Sequence, residues 1–310
     1  MYHAQSMRVG IFSDCYFPAI NGVVTSIAQQ VEILRDKGHQ VDLYCPRYAG
    51  EQGQELGTRR LSAVPFPFHK REQMTFPWPP SVLKEIWRRD YDVIHIQTPF
   101  FVGLLGMLAA WSRGLPRVFH HHTLWEEYVD YLPIPKDLSS RLSVKLCRGV
   151  ANACHGVVAP SEEVKWRFAE QGVTVPISVI PTGIRPERFR GGTAVEVLGE
   201  GDEVCLYIGR LAHEKSLDAL VRVFHRVYRK RDTARLWLVG DGPARGDLEG
   251  QVERLGLGGV VRFFGFVPRE TLKDYVAAAR LFLFASLTET QGLVVLEAQA
   301  GGAAGGGVQG

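Results

Sequence analysis

The amino-acid sequence predicts an α/β protein of two tandem domains, each built around a parallel β-sheet. Short apolar runs alternate with helical patterns along the chain, as expected for repeated strand–helix–strand units. The alternation pauses once, across the polar and glycine-dotted residues 184–202, and then restarts. The 310 residues also suffice for two hydrophobic cores of ordinary size. We therefore predict Rossmann-like domains at residues 1–185 and 186–310 that face a cleft.

The first domain opens with a buried strand at residues 7–13, then a helix at 22–38 and a strand at 39–45. Gly38 is typical of a helix end. Further strands are predicted by short apolar runs at residues 91–97, 117–122, 156–161 and 177–183. A helix between the last two is expected to begin after Ser161, whose hydroxyl suits an N-cap and precedes two acidic residues.

The second domain repeats this pattern. Apolar runs predict strands at residues 203–210, 234–240, 260–266 and 280–286. Helical patterns lie between them at about 214–231, 243–256 and 268–279. A further helix begins with "LVVLEAQA" (293–300), after the loop "LTETQG". The last ten residues, "GGAAGGGVQG", contain six glycines and are expected to form neither a helix end nor a strand.

Composition indicates a soluble protein without a nucleic-acid partner. Hydrophobic residues make up 45% of the chain, and 36 basic against 33 acidic residues give a net charge of +3. Five scattered cysteines without a C-x-x-C pair favour a reducing, cytoplasmic compartment. No apolar run reaches 18 residues, and "MYHAQS" at the start lacks the features of a signal peptide.

Ligands of such sheets bind at the carboxyl ends of strands, so the loops there carry the candidate residues. The loop after the first strand lacks the G-x-G-x-x-G pattern of dinucleotide-binding proteins. Gly22 begins the following helix, where free amide groups suit a phosphate. A plain turn glycine is the alternative.

Two cations follow the first strand of the second domain. Arg210 lies just past that strand and Lys215 enters the next helix, where both could neutralise a diphosphate leaving group. Solvated surface cations are the alternative. In the first domain, "HHHT" ends a strand, but consecutive strand residues point to opposite faces and do not converge on one metal ion. His122, at the strand end, is the best-placed hydrogen-bonding histidine.

Two glutamates flank the last loop-to-helix junction, with seven residues between them. Glu289 is placed in the loop and Glu297 inside the helix. The backbone N–H groups of Gln291, Gly292 and Leu293 lie at the helix start, where hydroxyl or phosphate oxygens can bind. One carboxylate could hold sugar hydroxyls and the other a ribose diol. The alternative is a helix-dipole partner and an unrelated surface acid.

In order along the chain, "GRLAHEKSLDALVRVF", "LVGDGPARGDLE", "FFGFVPRETLKDYVAAARLFLFAS" and "TETQGLVVLEA" resemble the motifs of retaining GT-B glycosyltransferases of family four. The likeness runs from Met7 to about Ala300. The first-domain stretches "SDCYFPAINGVVTSI", "HHHTLWEEYVDYLP" and "VIPTGI" are most similar to the bacterial subgroup that glucosylates diacylglycerol. The resemblance implies hexose transfer from a nucleotide-diphosphate sugar, UDP-glucose above all, to a lipid acceptor, with no cofactor and no bound metal.

The resemblance also implies roles for the candidate residues. Arg210 and Lys215 would bind the donor diphosphate with the amide of Gly22. Glu297 would hold the ribose. Glu289 and His122 would act on the transferred sugar, with the amides at the helix start named above. Arg185 stands where the family commonly has aspartate, so it receives no role.

An anionic membrane face is the expected location of the acceptor. Residues 58–89 hold seven basic and two acidic residues with interleaved aromatics, and residues 136–148 hold four basic and one acidic. Such segments suit peripheral attachment to the inner face of the cell membrane. An ordinary solvated helix face and a proline-rich loop would give the same pattern.

Other functions stay open from the sequence alone. Another hexosyltransferase, such as a mannosyltransferase with a soluble or phospholipid acceptor, or a sugar-nucleotide epimerase, would carry similar features. So would an inactive, truncated donor-binding protein. One inserted G in GC-rich codons for Ala-Ala-Gly-Leu-Pro-Val-Val-Ala would produce residues 300–307 as they stand. We therefore expect a frameshifted tail, an unpaired sheet edge in a second domain truncated at its C-terminus, and weak stability and activity.

Overall fold

The computed structural model describes residues 6–19, 21–49, 55–66, 69–122, 135–195, 199, 201–286 and 289–307. The chain forms two compact units, which divide between Gly183 and Ile184. Each unit is a parallel sheet covered by helices.

The sheet of the first unit has seven parallel strands in the order β3-β2-β1-β6-β7-β8-β9. The bounds of these strands in chain order are β1 Arg8–Phe12, β2 Gln40–Pro46, β3 Thr58–Leu61, β6 Val93–Ile96, β7 Arg117–His120, β8 Gly156–Ala159 and β9 Ile177–Val179. A separate antiparallel hairpin pairs β4 (Val64–Phe66) with β5 (His69–Met74). The sequence analysis predicted neither this hairpin nor β3.

Helices cover both faces of this sheet. In chain order they are α1 Gly22–Asp36, α2 Pro80–Arg88, α3 Phe101–Ser112, α4 Lys136–Asn152 and α5 Glu162–Glu170. The apolar residues of α1 pack with those of β1 and β2 in one core. The buried residues of α2, α3, α4 and α5 share another core with β6, β7 and β8. The sheet is therefore doubly wound, because α1 and the other four helices contribute to different cores.

Local capping explains where two of these helices begin and end. The Asn21 side chain accepts a hydrogen bond from the Val24 amide and starts α1. At the other end, Gly38 donates to the Arg35 carbonyl, which confirms the predicted stop. The predicted Ser161 cap is also confirmed, since its hydroxyl accepts from the Val164 amide at 3.4 Å.

The sheet of the second unit has the order β12-β11-β10-β13-β14. Its strands are β10 Glu203–Ile208, β11 Ala234–Val239, β12 Val261–Gly265, β13 Ala279–Phe284 and β14 Ala304–Gly307. Its helices are α6 Leu217–Tyr228, α7 Arg245–Arg254, α8 Leu272–Ala278 and α9 Leu293–Ala300. All five strands are parallel. The α/β class predicted for both domains is correct.

The glycine-rich tail corrects the sequence analysis. Residues 304–307 form β14, which pairs in parallel with Leu281–Phe284 of β13. The expectation that the tail forms neither a helix end nor a strand is therefore wrong, since Gly301 also ends α9 by donating to the Glu297 carbonyl. β14 covers the edge of β13 and is itself the last strand of the sheet. Parallel pairing uses backbone N–H and C=O groups, which glycine supplies as any residue does. Glycine only makes the strand entropically more costly to order.

Most strands end one to three residues earlier than predicted. The run predicted at residues 91–97 ends at Ile96, the run at 117–122 ends at His120, and the run at 203–210 ends at Ile208. The residues left over, including Gln97, His122 and Arg210, therefore lie in loops at the carboxyl ends of the strands. These are the positions at which parallel sheets bind ligands.

Candidate functional site

The strand order of the second unit reverses between β10 and β13, and polar side chains meet there. From this pair, the chain adds β11 and β12 on one side and β14 on the other. The Lys215 ammonium lies 3.0 Å from a Glu289 carboxylate oxygen and 3.3 Å from the Ser286 hydroxyl. The Lys215 side chain is 15% exposed and that of Glu289 is 31% exposed. A partly buried ion pair thus lies at the topological switch point of the sheet, where doubly wound folds bind ligands.

A tight turn brings Lys215 from the end of β10 to this place. Residues His213–Lys215 form a 3₁₀ turn, and Ser216 follows in the left-handed region, at φ 51° and ψ 36°. The Ser216 carbonyl then accepts hydrogen bonds from the Ala219 and Leu220 amides in the first turn of α6. Arg210 lies two residues past β10 and is partly buried, and its carbonyl accepts a hydrogen bond from the Tyr207 hydroxyl.

The start of α9 faces the same edge of the sheet. Gly292 is buried and adopts φ 68° and ψ 49°, a conformation that side-chain-bearing residues rarely take. This turn lets α9 begin at Leu293, and the Gly292 carbonyl accepts from the Val295 amide. An added Cβ at Gly292 would lie 3.6 Å from the Glu289 side chain. Glu289 and the helix start that carries Gln291, Gly292 and Leu293 are therefore neighbours. Residues 287 and 288 of this loop lie outside the described residues.

Glu297, one turn into α9, is 9% exposed and forms an ion pair with Arg269. Burial raises the pKa of the Glu297 carboxyl, and the Arg269 guanidinium opposes that rise. The guanidinium also lies over the Phe189 ring, 5.9 Å from its centroid. Sequence reasoning missed Arg269, although "FVPRE" stands in a quoted motif. The only signal available was that a buried carboxylate needs a cation.

Together these groups suit an anionic, hydroxyl-rich ligand. Lys215 and Arg210 are cations at strand ends, and the start of α9 adds backbone N–H groups and the positive end of a helix dipole. Glu289 and Glu297 are acceptors for hydroxyl groups. In the described structure both carboxylates are already ion-paired, so a ligand must share or displace those cations. Among the described residues, no group of three or more histidine, cysteine, aspartate or glutamate side chains is arranged to hold a metal ion.

The first unit has its own switch point, between β1 and β6. Asp14, just past β1, is buried and accepts hydrogen bonds from the Thr98 hydroxyl at 2.5 Å and the Val102 amide at 2.7 Å. It thus caps α3 from another strand, since the preceding Phe100 offers no capping side chain. Gly22 lies nearby in sequence as the first residue of α1 and is exposed. The Asn21 cap satisfies the Val24 amide and leaves the position of Gly22 open to solvent.

His122 follows β7 and is partly buried. Its Nε2 atom lies 2.6 Å from the Gln97 side-chain oxygen, and its ring stacks on His120 with 4.0 Å between centroids. Burial, with smaller contributions from His95 and His121, lowers the pKa of His122 to about 3. His121 lies on the other side, against Phe168 with 4.1 Å between ring centroids. The three adjacent histidines thus alternate in direction, and Thr123 lies outside the described residues.

Comparisons with known proteins place this chain in a family. The Glycosyltransferase Family 4 profile matches residues 20–188, and the profile of Glycosyl transferases group 1 matches residues 193–304. The chain is 32% identical over 307 residues to an alpha-monoglucosyldiacylglycerol synthase of Streptococcus pneumoniae, covering 96% of this chain and 70% of that protein. The protein of the same name from Acholeplasma laidlawii is 28% identical, with 95% and 78% covered.

A solved structure shows the same fold. Anabaena Alr3699/HepE, crystallised with UDP and glucose, superposes with a TM-score of 0.73 at 19% identity, covering 96% of this chain and 80% of that one. Similarity at this level of identity supports the fold alone. Because the two profiles cover most of the sequence and the pneumococcal relative exceeds 30% identity, this chain is a glycosyltransferase that belongs to family 4 and has the GT-B fold.

Proposed function

We propose that the protein is a retaining hexosyltransferase that moves glucose from UDP-glucose to diacylglycerol. The observation that carries this proposal is the Lys215–Glu289 ion pair at the switch point of the second unit, beside the start of α9. The names of the bacterial relatives support the sugar and the acceptor, and Alr3699/HepE, which shares the fold, was crystallised with UDP and glucose.

The second unit is then the donor-binding domain. Arg210 and Lys215 bind the diphosphate and neutralise the charge that grows as the sugar–phosphate bond breaks. Glu289 and the amides at the start of α9 bind the hydroxyls of the transferred sugar. Glu297 binds the ribose hydroxyls through the carboxylate that Arg269 holds in place. The diphosphate replaces Glu289 as the partner of Lys215, which frees that carboxylate for the sugar.

The first unit is the acceptor-binding domain. His122 contacts the transferred sugar near the reacting carbon, and the Gly22 amide contacts the diphosphate. His122 does so as a neutral imidazole, because its lowered pKa leaves it unprotonated at neutral pH. It therefore acts through hydrogen bonding and not as a charged acid. Gly22 fits its role because the start of α1 presents backbone amides and the positive end of the helix dipole.

An exposed apolar surface on the outer helices of the first unit suits a lipid acceptor. Leu138, Leu142 and Leu146 recur every fourth residue on α4 and are 49%, 51% and 36% exposed. On α3, Leu104 and Leu108 are exposed in the same way, and Trp111 is 73% exposed. These residues form what we call the outer apolar surface. Surfaces of this kind mark sites of protein or membrane attachment.

Basic residues accompany the outer apolar surface. Arg141, Lys145 and Arg148 are exposed on α4, as are Lys84 and Arg88 on α2. Other cations of the segments predicted to bind membrane are engaged within the protein: Arg59 pairs with Glu85, Arg89 with Asp42, and Arg60 donates to backbone carbonyls. The side chains of Lys70, Arg71 and Lys136 lie outside the described ones. Of the helices described, none is both long and apolar enough to cross a bilayer. We therefore propose peripheral attachment to an anionic membrane, at the inner face of the cell membrane.

Binding and transfer assays test the enzymatic proposal. In titration calorimetry with UDP, Arg210→Ala and Glu297→Ala should weaken binding about tenfold or more, because each loses a charge-assisted hydrogen bond. His122→Ala should leave UDP affinity unchanged and slow glucosyl transfer to diacylglycerol. Arg222→Ala, which removes an exposed arginine of α6 paired with Asp218, is the matched control and should bind UDP normally. Unchanged UDP affinity in both Arg210→Ala and Glu297→Ala would contradict their assignment to the donor site.

A product assay separates the alternatives. Incubation of the chain with UDP-glucose should give a glucosylated lipid only when diacylglycerol is added. A changed sugar nucleotide without any acceptor would indicate an epimerase. No reaction with UDP-glucose, but transfer from another sugar nucleotide, would identify a different hexosyltransferase.

Vesicle binding tests the membrane surface. Sedimentation with anionic vesicles should exceed sedimentation with neutral vesicles and decrease as salt is added, because salt screens the basic residues. Arg141→Glu with Lys145→Glu should reduce binding to anionic vesicles, and Trp111→Ser should reduce binding to both kinds. Lys230→Glu, at an exposed lysine after α6, is the control for a general change in charge. Equal partitioning of the wild type to both vesicles contradicts the proposal.

A further inference from the structure

Four polar side chains of the first unit form a continuous line of hydrogen bonds, which we call the amide relay. His122 Nε2 lies 2.6 Å from Gln97 Oε1. Gln97 Nε2 lies 2.6 Å from Gln30 Oε1. Gln30 Nε2 lies 3.2 Å from His95 Nδ1. The line thus runs from the loop after β7, past the carboxyl end of β6 and across α1, to a buried position within β6.

The chemistry of the two amides gives the relay a direction. An amide nitrogen only donates and an amide oxygen only accepts. With both amides oriented as the structure has them, His95 Nδ1 accepts, and the proton of its neutral ring lies on Nε2. In the same orientation His122 Nε2 donates, so the unprotonated nitrogen of its neutral ring is Nδ1. Any hydrogen bond at His122 Nδ1 is consequently one that the ring accepts.

The surroundings keep both rings neutral. His95 is 9% exposed, and burial lowers its pKa to about 4. The His120 ring stacks between the other two, with centroids 5.7 Å from His95 and 4.0 Å from His122. Protonation of any of the three rings would place a charge in this buried stack, and burial disfavours that charge.

We infer that Gln97, supported by Gln30 and His95, is the positioning residue of His122. It fixes the ring plane and holds the proton on Nε2, so that Nδ1 can accept a hydrogen bond from a hydroxyl of the sugar or of the acceptor lipid. The role of Nδ1 rests on the proposed function, whereas the fixed tautomer does not. Polar partners that orient a functional histidine in this way are common behind metal ligands, and the same principle applies to a ring that binds a hydroxyl.

Nuclear magnetic resonance of the wild-type chain tests the tautomer directly. Histidine is labelled with ¹⁵N, and the His122 signals are identified by their absence in His122→Asn. We expect a proton on Nε2 that exchanges slowly with solvent, and an unprotonated Nδ1. A proton on Nδ1 of His122 would overturn the inference without any further variant.

Two variants of Gln97 test the coupling. Gln97→Leu should release the Nε2 proton to fast exchange and populate both tautomers. Gln97→Glu should raise the pKa of His122, because a carboxylate then faces its N–H group. Gln30→Leu should act in the same direction as Gln97→Leu but less strongly, and Gln40→Leu, at an exposed glutamine that begins β2, should leave the His122 signals unchanged. Identical His122 signals in the wild type and both Gln97 variants would overturn the inference.

Kinetics separate this inference from the proposed function. Gln97→Leu should lower kcat roughly tenfold, the size of one hydrogen bond, with little change in the KM for UDP-glucose. In a His122→Ala background the same substitution should cause no further loss. Full kcat in Gln97→Leu would overturn the positioning role while the proposed function stands. Absence of all transfer in the wild type would overturn the proposed function, and the resonance measurements would still decide the tautomer.

Discussion

At the scale of single residues, each of the two carboxylates of the candidate donor site has a cationic partner. Lys215 pairs with Glu289, and Arg269 pairs with Glu297. A buried ion loses its hydration and is tolerated only when paired. The pairs therefore hold the carboxylates in place before any ligand arrives. Under the proposed function, the donor diphosphate replaces Glu289 beside Lys215, a cation that the fold already holds in position.

Removal of Arg269 should expose the cost of an unpaired carboxylate. Arg269→Leu should lower the free energy of unfolding by about 2 kcal/mol, below the range for fully buried pairs because the arginine is 32% exposed. It should also raise the pKa of Glu297 further and weaken UDP binding. Chemical denaturation at pH 7 measures the first effect. When Glu297 is replaced by Gln, Arg269→Leu should lower the free energy of unfolding by clearly less. An equal decrease with Glu297 and with Gln at this position would contradict the pairing.

Ser216 stores backbone strain beside Lys215, because a side chain at φ 51° meets its own backbone. Ser216→Gly should raise the free energy of unfolding by about 1 kcal/mol and leave UDP affinity unchanged. Ser216→Ala keeps the strain and is the control. A thermal melt in which the alanine and glycine variants behave alike would show that this turn is unstrained.

At the scale of elements, the order of strands and helices is decided by local patterns, and the sequence predicts it well. Apolar runs predict ten of the twelve strands in the two sheets, whereas β3 and β5 carry mixed, basic sequences without a clear period. The prediction for the tail is wrong for a different reason. Its composition argues against a strand, yet the unpaired edge of β13 supplies backbone partners that composition does not reveal.

Replacing a glycine of β14 by a residue with a side chain should stabilise the second unit. Gly305 is exposed and its φ is not positive, and an added Cβ would lie 3.2 Å from the end of the flexible Gln299 side chain. Gly305→Val should therefore raise the free energy of unfolding of the second unit by about 1 kcal/mol. Gly302→Val, at φ 97°, should lower it. Urea denaturation measures both, and destabilisation by Gly305→Val would contradict the strand.

The candidate site was less predictable than the fold. Glu289, Lys215 and His122 could be chosen because they follow strands, and strand ends are visible in the sequence. Their partners were not visible, since Arg269 lies 28 residues before Glu297, and Gln97 and Gln30 belong to other elements than His122. Side-chain pairing across elements depends on register and packing, which no local pattern encodes. The outer apolar surface could not be predicted for the same reason, because the exposure of a helical leucine depends on how the helix packs on the sheet.

At the scale of the whole molecule, the two units share a doubly wound plan but differ in where their histidines lie. His95, His120 and His121 are buried in the first unit. In the second unit His213 is exposed and His225 is partly buried. A buried neutral histidine binds its proton more weakly than the same residue in the unfolded chain. Acid should therefore act mainly on the first unit.

The sign of this effect follows from the shifts. The pKa is about 4 for His95 and about 3 for His121 and His122, all below the unfolded value of 6.5. The unfolded state then binds more protons than the folded state between about pH 6.5 and 4, so stability falls as the pH falls through that window. Within this window, each histidine lowers the free energy of unfolding by about 1.4 kcal/mol for each pH unit below 6.5.

Hydrogen exchange at pH 7.5 and 5.5, corrected for the intrinsic rate, should show loss of protection in β6, β7 and β8 and little change in β10, β11 and β13. His121→Leu is the matched test, because the His121 ring is 1% exposed and its nitrogens have no hydrogen-bond partner among the described residues. Leucine fills a similar volume against Phe168 and does not titrate. The variant should therefore be at least as stable at neutral pH and lose less protection in acid. Equal loss of protection in acid for the variant and the wild type would show that His121 does not cause the acid sensitivity. Equal loss of protection in both units would show that none of the buried histidines causes it.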